Sequence, residues 1–318
     1  MYIFFILAGL ALILFGADKL TDGAAEAAKR LRMSEFVVGL TVIAIGTSMP
    51  ELAVSLLSAL KGQTEMAVGN VVGSNIFNIL VTVGLCALIT PIALTRSNIR
   101  FDIPVCIAAS LLLPAFGLHG VIPRAAGVAM VAAYVLLLWY TVRSSRPAAV
   151  TTTPAEPARK SDGEAGRHSP WLLAAMIAGG LCALVGGGEM FVRGATELAR
   201  RLGVSESIIA ITLVAGGTSL PELASSAVSL LKGRSGMALG NAIGSNTANI
   251  LLVLGVSATA RPLTFGSITE VDIYAVPAST VLLLLTAFTF RRGAIDRWEG
   301  ALFLAAYAAY IVWLIESN

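Results

Sequence analysis

Apolar residues run in long stretches along this chain, separated by short polar joints. Ten stretches approach the roughly 20 apolar residues that a helix needs to cross a bilayer. They cover residues 2–28, 34–59, 66–89, 101–118, 121–142, 171–198, 205–230, 237–259, 272–289 and 298–315. The first of them, Tyr2 to Phe15 and beyond, has no basic start. Asp18 and Lys19 follow it in place of a small-residue cleavage site, so a retained helix is expected rather than a signal peptide. Arg143–Ser169 is the one long polar joint, rich in Pro, Ala, Thr and charge. Such a composition cannot bury a core and predicts a flexible loop. The chain thus reads as a first five-helix half, residues 1–143, a loop, 144–169, and a second five-helix half, 170–318.

The halves repeat. Shifted by 171 residues, Thr41–Pro91 lies on Thr212–Pro262 without a gap, with 27 identities in 51 positions. Gly46-Thr47-Ser48-Met49-Pro50-Glu51 meets Gly217-Thr218-Ser219-Leu220-Pro221-Glu222, and Gly73-Ser74-Asn75 with Asn78-Ile79-Leu80 meets Gly244-Ser245-Asn246 with Asn249-Ile250-Leu251. Five helices is an odd number, so the second half would enter the membrane from the opposite side. The expected fold class is an all-α membrane protein of ten transmembrane helices in two inverted-topology repeats, with Pro-broken helices around a central site.

Composition agrees with a lipid solvent. The chain is 56% hydrophobic and 13% charged, with mean hydropathy +0.82; soluble domains carry about 25% charged residues. A net charge of +3 gives no footprint for a nucleic-acid partner. With the N-terminus outside, the inner loops hold fifteen Lys and Arg (among them Lys29, Arg30, Arg143, Lys232 and Arg234) and the outer loops five, Lys61, Arg124, Arg200, Arg201 and Arg261. This bias predicts both termini outside and the 144–169 loop in the cytoplasm of an inner (plasma) membrane protein. Cys86, Cys106 and Cys182 all lie in apolar stretches and read as buried small hydrophobes, not as a disulfide framework.

Glu51 and Glu222 sit within apolar segments. A carboxylate at membrane depth costs several kcal/mol unless compensated, which makes each a functional candidate. A structural hydrogen bond could explain one such Glu; two at equivalent places point to a shared site. Each follows a proline, which removes a backbone donor and interrupts the helix. The carbonyls of the preceding turn, near Ala44 and Ala215, are expected to lose their partners. Thr47, Ser48, Thr218 and Ser219 add hydroxyls. Carboxylate, hydroxyl and carbonyl are hard oxygen ligands of the kind Na⁺ and Ca²⁺ take. Ser74 with Asn78, and Ser245 with Asn249, share a helix face four residues apart. They are read as ligands beside the Glu blocks, although Ser and Asn can also simply join helices. Asn75 and Asn246 point off that face and read as structural. Asp18 and Glu189, which are repeat-related, read as accessory, with Lys19 a partner for Asp18; His119 and His168 read as solvated loop residues.

These blocks resemble the alpha-1 and alpha-2 repeats of the sodium/calcium exchangers, in their compact prokaryotic form, and the likeness runs over the whole chain. The resemblance implies ten helices in two inverted halves around four ion sites, and sliding of the first and sixth helices to alternate access. It implies that Glu51 and Glu222 are shared carboxylates. Ala44 and Ala215 would offer carbonyls, and Thr47, Ser48, Ser74, Thr218, Ser219 and Ser245 oxygens, with Asn78 and Asn249 flanking the middle site. The transported ions would be Na⁺ and Ca²⁺, with no cofactor. Some members, and the potassium-dependent branch, look to have Asp where this chain has Asn249, so this chain is more similar to the potassium-independent pattern. Calcium/proton exchange and a passive cation channel remain alternatives. Intramembrane hydrolysis lacks a base for Ser48 or Ser219.

Overall fold

The computed structural model describes residues 1–144, 168–203, 215–289 and 293–317. Most of the 144–169 loop and the start of the seventh expected segment, 204–214, lie outside them. The molecule is an all-helical membrane protein with two small strand pairs. In chain order its helices are α1 Tyr2–Leu31, the bent pair α2 Glu35–Thr47 and α3 Met49–Leu60, α4 Thr64–Ile89, α5 Asn98–Gly117, α6 Arg124–Ser144, α7 Pro170–Arg201, α8 Leu220–Leu231, α9 Ser235–Ala260, α10 Glu270–Thr286 and α11 Arg297–Glu316. Among the described residues, seven of these are long and apolar enough to cross a membrane alone, and α2 with α3 makes an eighth. The helix α8 is shorter and α10 has 17 residues.

Helix ends follow local chemistry. Ser34 and Ser169 accept backbone N–H bonds at the starts of α2 and α7, and Thr269 with Asp272 forms a reciprocal capping box at α10. After α3 and α8 the chain turns at Gly62 (φ 86°) and Gly233 (φ 75°), repeat-equivalent glycines in the left-handed region.

Packing is graded from the centre outward. In α9, 83% of the most apolar stretch is buried, and in α4 72%, against 17% in α11. The repeat-equivalent helices α4 and α9 are therefore the heart of the bundle. Each widens into a π-helix at the same repeat position, Asn78–Val83 and Asn249–Leu254. The long helices α1 and α7 lie against each other at the flank, with their own apolar cluster around Ile13, Ala17, Leu20 and Leu184. They run antiparallel, backbone to backbone. A Cβ on Gly9 would lie 2.7 Å from Gly187 O, and one on Gly180 2.9 Å from Gly16 O. Only glycine permits that approach. Two strand pairs cross between halves: β1 (Ile92–Ala93) with β4 (Ala294–Ile295), and β2 (Val121–Ile122) with β3 (Leu263–Thr264), both antiparallel.

Two sequence expectations change. Cys182 is exposed on the outward face of α7, because the glycine face of that helix turns inward. His168 is not simply solvated: its Nδ1 lies 2.6 Å from Glu26 Oε2.

Candidate functional site

The site forms where Pro50 and Pro221 interrupt their helices. Between α2 and α3 the axis bends by 43° at Ser48. In the second half a helical turn, Ala215–Gly217, is separated from α8 by Thr218 and Ser219. Each glutamate therefore lies in the first turn of the helix after the break, where backbone N–H groups are unpaired and the helix end favours negative charge. The break faces α4 and α9, which bring Ser74, Asn78, Ser245 and Asn249.

Glu51 and Glu222 are both fully buried. Their contacts cross between halves reciprocally. Ser219 Oγ donates to Glu51 Oε1 (3.3 Å) and Ser48 Oγ donates to Glu222 Oε1 (3.2 Å). Ser74 Oγ also donates to Glu51 Oε1, at 3.4 Å. Thr47 Oγ1 lies 3.5 Å from Ser245 Oγ, and Ser74 Oγ lies 3.5 Å from Thr218 Oγ1. Glu51 Oε2 and Glu222 Oε2 have no hydrogen-bond partner among the described residues. Among the described residues no Lys, Arg or His pairs with either carboxylate.

The amides are held differently. Asn249 Nδ2 donates to Asn75 Oδ1 (3.3 Å), which leaves Asn249 Oδ1 without a partner. Neither amide atom of Asn78 has one. Asn246 Nδ2 donates to Asn75 O at 3.0 Å, so Asn75 and Asn246 tie α4 to α9 as structural residues do. Ten of the candidate residues are fully buried or nearly so; Thr218 is half-buried and lines a cavity of about 320 Å³ between α3 and α7. The exception in kind is Ala44. Its carbonyl keeps a helical bond from Ser48 N–H (3.0 Å) and takes a second from Thr47 Oγ1 (3.4 Å). The proline withholds its N–H from the carbonyl four residues back, which is Gly46 in the first half, and not from Ala44. For Ala215 only the backbone of its helical turn is described.

The sequence reading passed over Asn70 and Asn241. Asn70 Nδ2 donates to Glu51 O (3.3 Å) and Ser55 Oγ (3.0 Å). Asn241 Nδ2 shares its two N–H groups among Glu222 O (3.2 Å), Ser225 Oγ (3.0 Å) and Ser226 Oγ (2.9 Å). They brace the backbone that carries each glutamate. The signal was present in the repeat: Asn70, Ser74 and Asn78, and Asn241, Ser245 and Asn249, form identical stripes at four-residue spacing.

The sodium/calcium exchanger protein family profile matches residues 1–143 and 172–316. The chain is similar to the putative antiporter CaxA of Alkalimonas amylolytica, 36% identical over 98% of both chains. It is similar to the inner membrane protein YrbG of Escherichia coli, 32% identical over 97% of this chain and 94% of that one. Among solved structures it matches the sodium-calcium exchanger NCX_Mj soaked with 10 mM Na⁺ and 10 mM Sr²⁺, with TM-score 0.82, 32% identity, and 98% of this chain and 97% of that one covered. With the profile spanning nearly the whole chain and the fold matched over 98% of it, this transmembrane cation antiporter belongs to the sodium/calcium exchanger family.

Proposed function

We propose that the chain exchanges Na⁺ for Ca²⁺ by alternating access, with sodium entry driving calcium export and no need for potassium. One observation carries this reading: among the described residues, two fully buried carboxylates pair with no base, and each has an oxygen without a hydrogen-bond partner. Left bare at membrane depth they would cost several kcal/mol each. A divalent cation between them removes that cost. The hydroxyls of Ser48, Ser219 and Ser74 donate to the carboxylates in this state, and a hydroxyl can rotate to offer a lone pair instead. The same oxygens can thus serve Ca²⁺ in one loading and several Na⁺ in the other. Thr47, Thr218, Ser245 and the carbonyl of Ala215 complete the shells, and the carbonyl of Ala44 joins them when Thr47 Oγ1 turns away from it. Asn249 Oδ1 and Asn78, short of partners, supply neutral oxygens beside the middle position. A neutral amide at 249 is the reason to expect no potassium requirement.

Around that site we infer ten transmembrane spans in two inverted repeats. The antiparallel course of the repeat-equivalent helices α1 and α7 supports this, as do the reciprocal bonds between halves. Basic residues gather on the inner side, so both termini are assigned to the outside of an inner membrane; the name of the Escherichia coli relative is in line with that.

Counterflow in reconstituted vesicles tests the proposal. Calcium uptake should follow an opposing sodium gradient and ignore potassium. Uptake that follows a proton gradient at zero sodium would make the protein a calcium/proton antiporter. Uptake with no counter-ion at all would make it a channel.

A further inference from the structure

The site is open towards one side of the molecule and shut towards the other, and the repeat allows the two sides to be compared residue by residue. The cavity of about 320 Å³ is walled by Pro50, Ala53, Gly188, Glu189, Val192 and Thr218. A shift of 171 puts Pro221, Ala224, Ala17, Asp18, Thr21 and Thr47 in the equivalent places. There the wall is sealed: Ala17, Thr21 and Thr47 are 0% exposed, and Thr21 Oγ1 lies 3.3 Å from Ser229 Oγ.

Charge tracks the sealed side. Lys232 Nζ reaches Asp18 Oδ1 (2.6 Å) and Asp22 Oδ1 (2.9 Å). Arg234 Nη1 reaches Asp22 Oδ1 (3.0 Å) and Thr21 O (2.9 Å). The turn between α8 and α9 is thereby clamped onto α1. On the open side the equivalent residues are Glu189, Arg193, Lys61 and Gln63. Glu189 pairs with Arg193 on its own helix, and Lys61 pairs with no carboxylate among the described residues.

We propose that Asp18 and Asp22 on α1, with Lys232 and Arg234 in the turn between α8 and α9, form a latch that holds the ion site closed to the cytoplasm and must part when it opens there. The latch rests on the alternating-access reading above. The helices α1 and α7, joined through their glycines, can shift as one body, and a slide of α1 would draw both aspartates away from their partners. Among the described residues the outer side offers Glu189 and Lys61, and Arg193 competes for the acid; Glu206, the equivalent of the Glu35 that lies 4.0 Å from Arg234, falls outside them. The four charged groups of the inner side favour the outward-facing state when no ions are bound.

Thiol accessibility tests this. In a chain with Cys86, Cys106 and Cys182 replaced by alanine, Ala53→Cys reports on the open cavity and Ala224→Cys on its sealed equivalent. A membrane-impermeant methanethiosulfonate reagent is applied from either side of oriented vesicles. Without ions, Ala53→Cys should label fast from outside and Ala224→Cys slowly from inside. Adding Lys232→Gln and Arg234→Gln should speed labelling at Ala224→Cys by about five-fold or more, the factor expected for losing a small network of partly exposed ion pairs. It should slow labelling at Ala53→Cys. The swap Asp22→Arg with Arg234→Asp should restore the slow inner rate, and calcium should still protect each variant against heat. If both rates are unchanged without the latch, while Ala224→Cys labels from inside during sodium-driven turnover of the parent, the latch is wrong and alternating access stands. If Ala224→Cys does not label from inside even during turnover, alternating access fails and the latch with it.

Discussion

Glu51 and Glu222 accept the same kind of bond from the opposite half, so neither carboxylate has a private role. Glu51→Gln and Glu222→Gln should each lower calcium flux by about a hundredfold or more, as loss of a charged ligand does, while the protein still folds. Wild-type flux in either variant would end the shared-site account. Asn70 and Asn241 hold the backbone of each glutamate, and Asn241 Oδ1 also accepts from Thr47 Oγ1 at 3.3 Å. Asn241→Ala removes a buried amide donor shared by Glu222 O and the Ser225 and Ser226 hydroxyls, which keep only their own bonds to Glu222 O and Ala238 O, and should cost about 1–3 kcal/mol of stability. Heat-unfolding in detergent should register it, with a rise in the KM for calcium. Asn249→Asp places a third carboxylate in the site. Flux between about pH 6 and 8, where a perturbed carboxylate can titrate, should then depend on pH in a way the parent does not; equal pH profiles would remove position 249 from the ion path. Most of these residues were legible in the sequence, because an intramembrane carboxylate after a proline, seen twice, has little structural explanation. Asn70 and Asn241 were not, because an amide on a helix face looks the same whether it meets an ion or a neighbouring carbonyl. The carbonyl of Ala44 was misread for a related reason: the turn before Pro50 stays helical, and only the position four residues back from the proline loses its donor.

Helices are readable from a chain like this one because lipid leaves the backbone no alternative partner. Within the described residues the long apolar stretches are helices with ends shifted by a few residues; α1 runs to Leu31 and α7 to Arg201, since charged ends can extend past the apolar span. What the apolar pattern left out was the interruptions. Proline marks the bend at Ser48, but the π-turns at Asn78 and Asn249 have no breaker residue. They begin one turn after Ser74 and Ser245, where the polar stripes of the two central helices meet the site. The strand pairs were also unreadable, since two residues carry no periodicity. Between α1 and α7 the glycines decide the contact. Gly16→Val would put a side chain within 2.6 Å of Gly180 O. Overpacking of this kind costs about 1–3 kcal/mol. If α1 and α7 shift together, flux in Gly16→Val should fall more than calcium affinity does. Loss of affinity with turnover intact would place this interface in the ion site instead.

Across the whole molecule the distribution of charge makes two claims, one on orientation and one on current. The fifteen-to-five bias of basic residues predicts that cysteines at Thr152 and Gly293 label from the cytoplasm and one at Gly203 from outside; the opposite pattern would sink the inverted arrangement. Thr152 lies outside the described residues, while Gly203 and Gly293 both occupy exposed or half-exposed turns. The current follows from the site's own charge. Glu51 and Glu222 supply two formal negative charges, because positions 78 and 249 are neutral amides. One Ca²⁺ brings the loaded site to zero. The crossed hydroxyls and the two amides offer oxygens for more than two monovalent ions, and the exchanger family implies three Na⁺. Three Na⁺ would leave the sodium-loaded site at +1, so each calcium exported carries one net positive charge inward. Every charge moved through 100 mV is worth about 2.3 kcal/mol, and an inside-negative membrane should therefore favour calcium export. A two-for-one exchange on the same carboxylates would be electroneutral. Vesicles clamped at opposite potentials with potassium and valinomycin separate the two: sodium-driven calcium flux should change severalfold between the clamps. Equal flux at both potentials would mean that one sodium position stays empty during the cycle, or that another group titrates to cancel its charge.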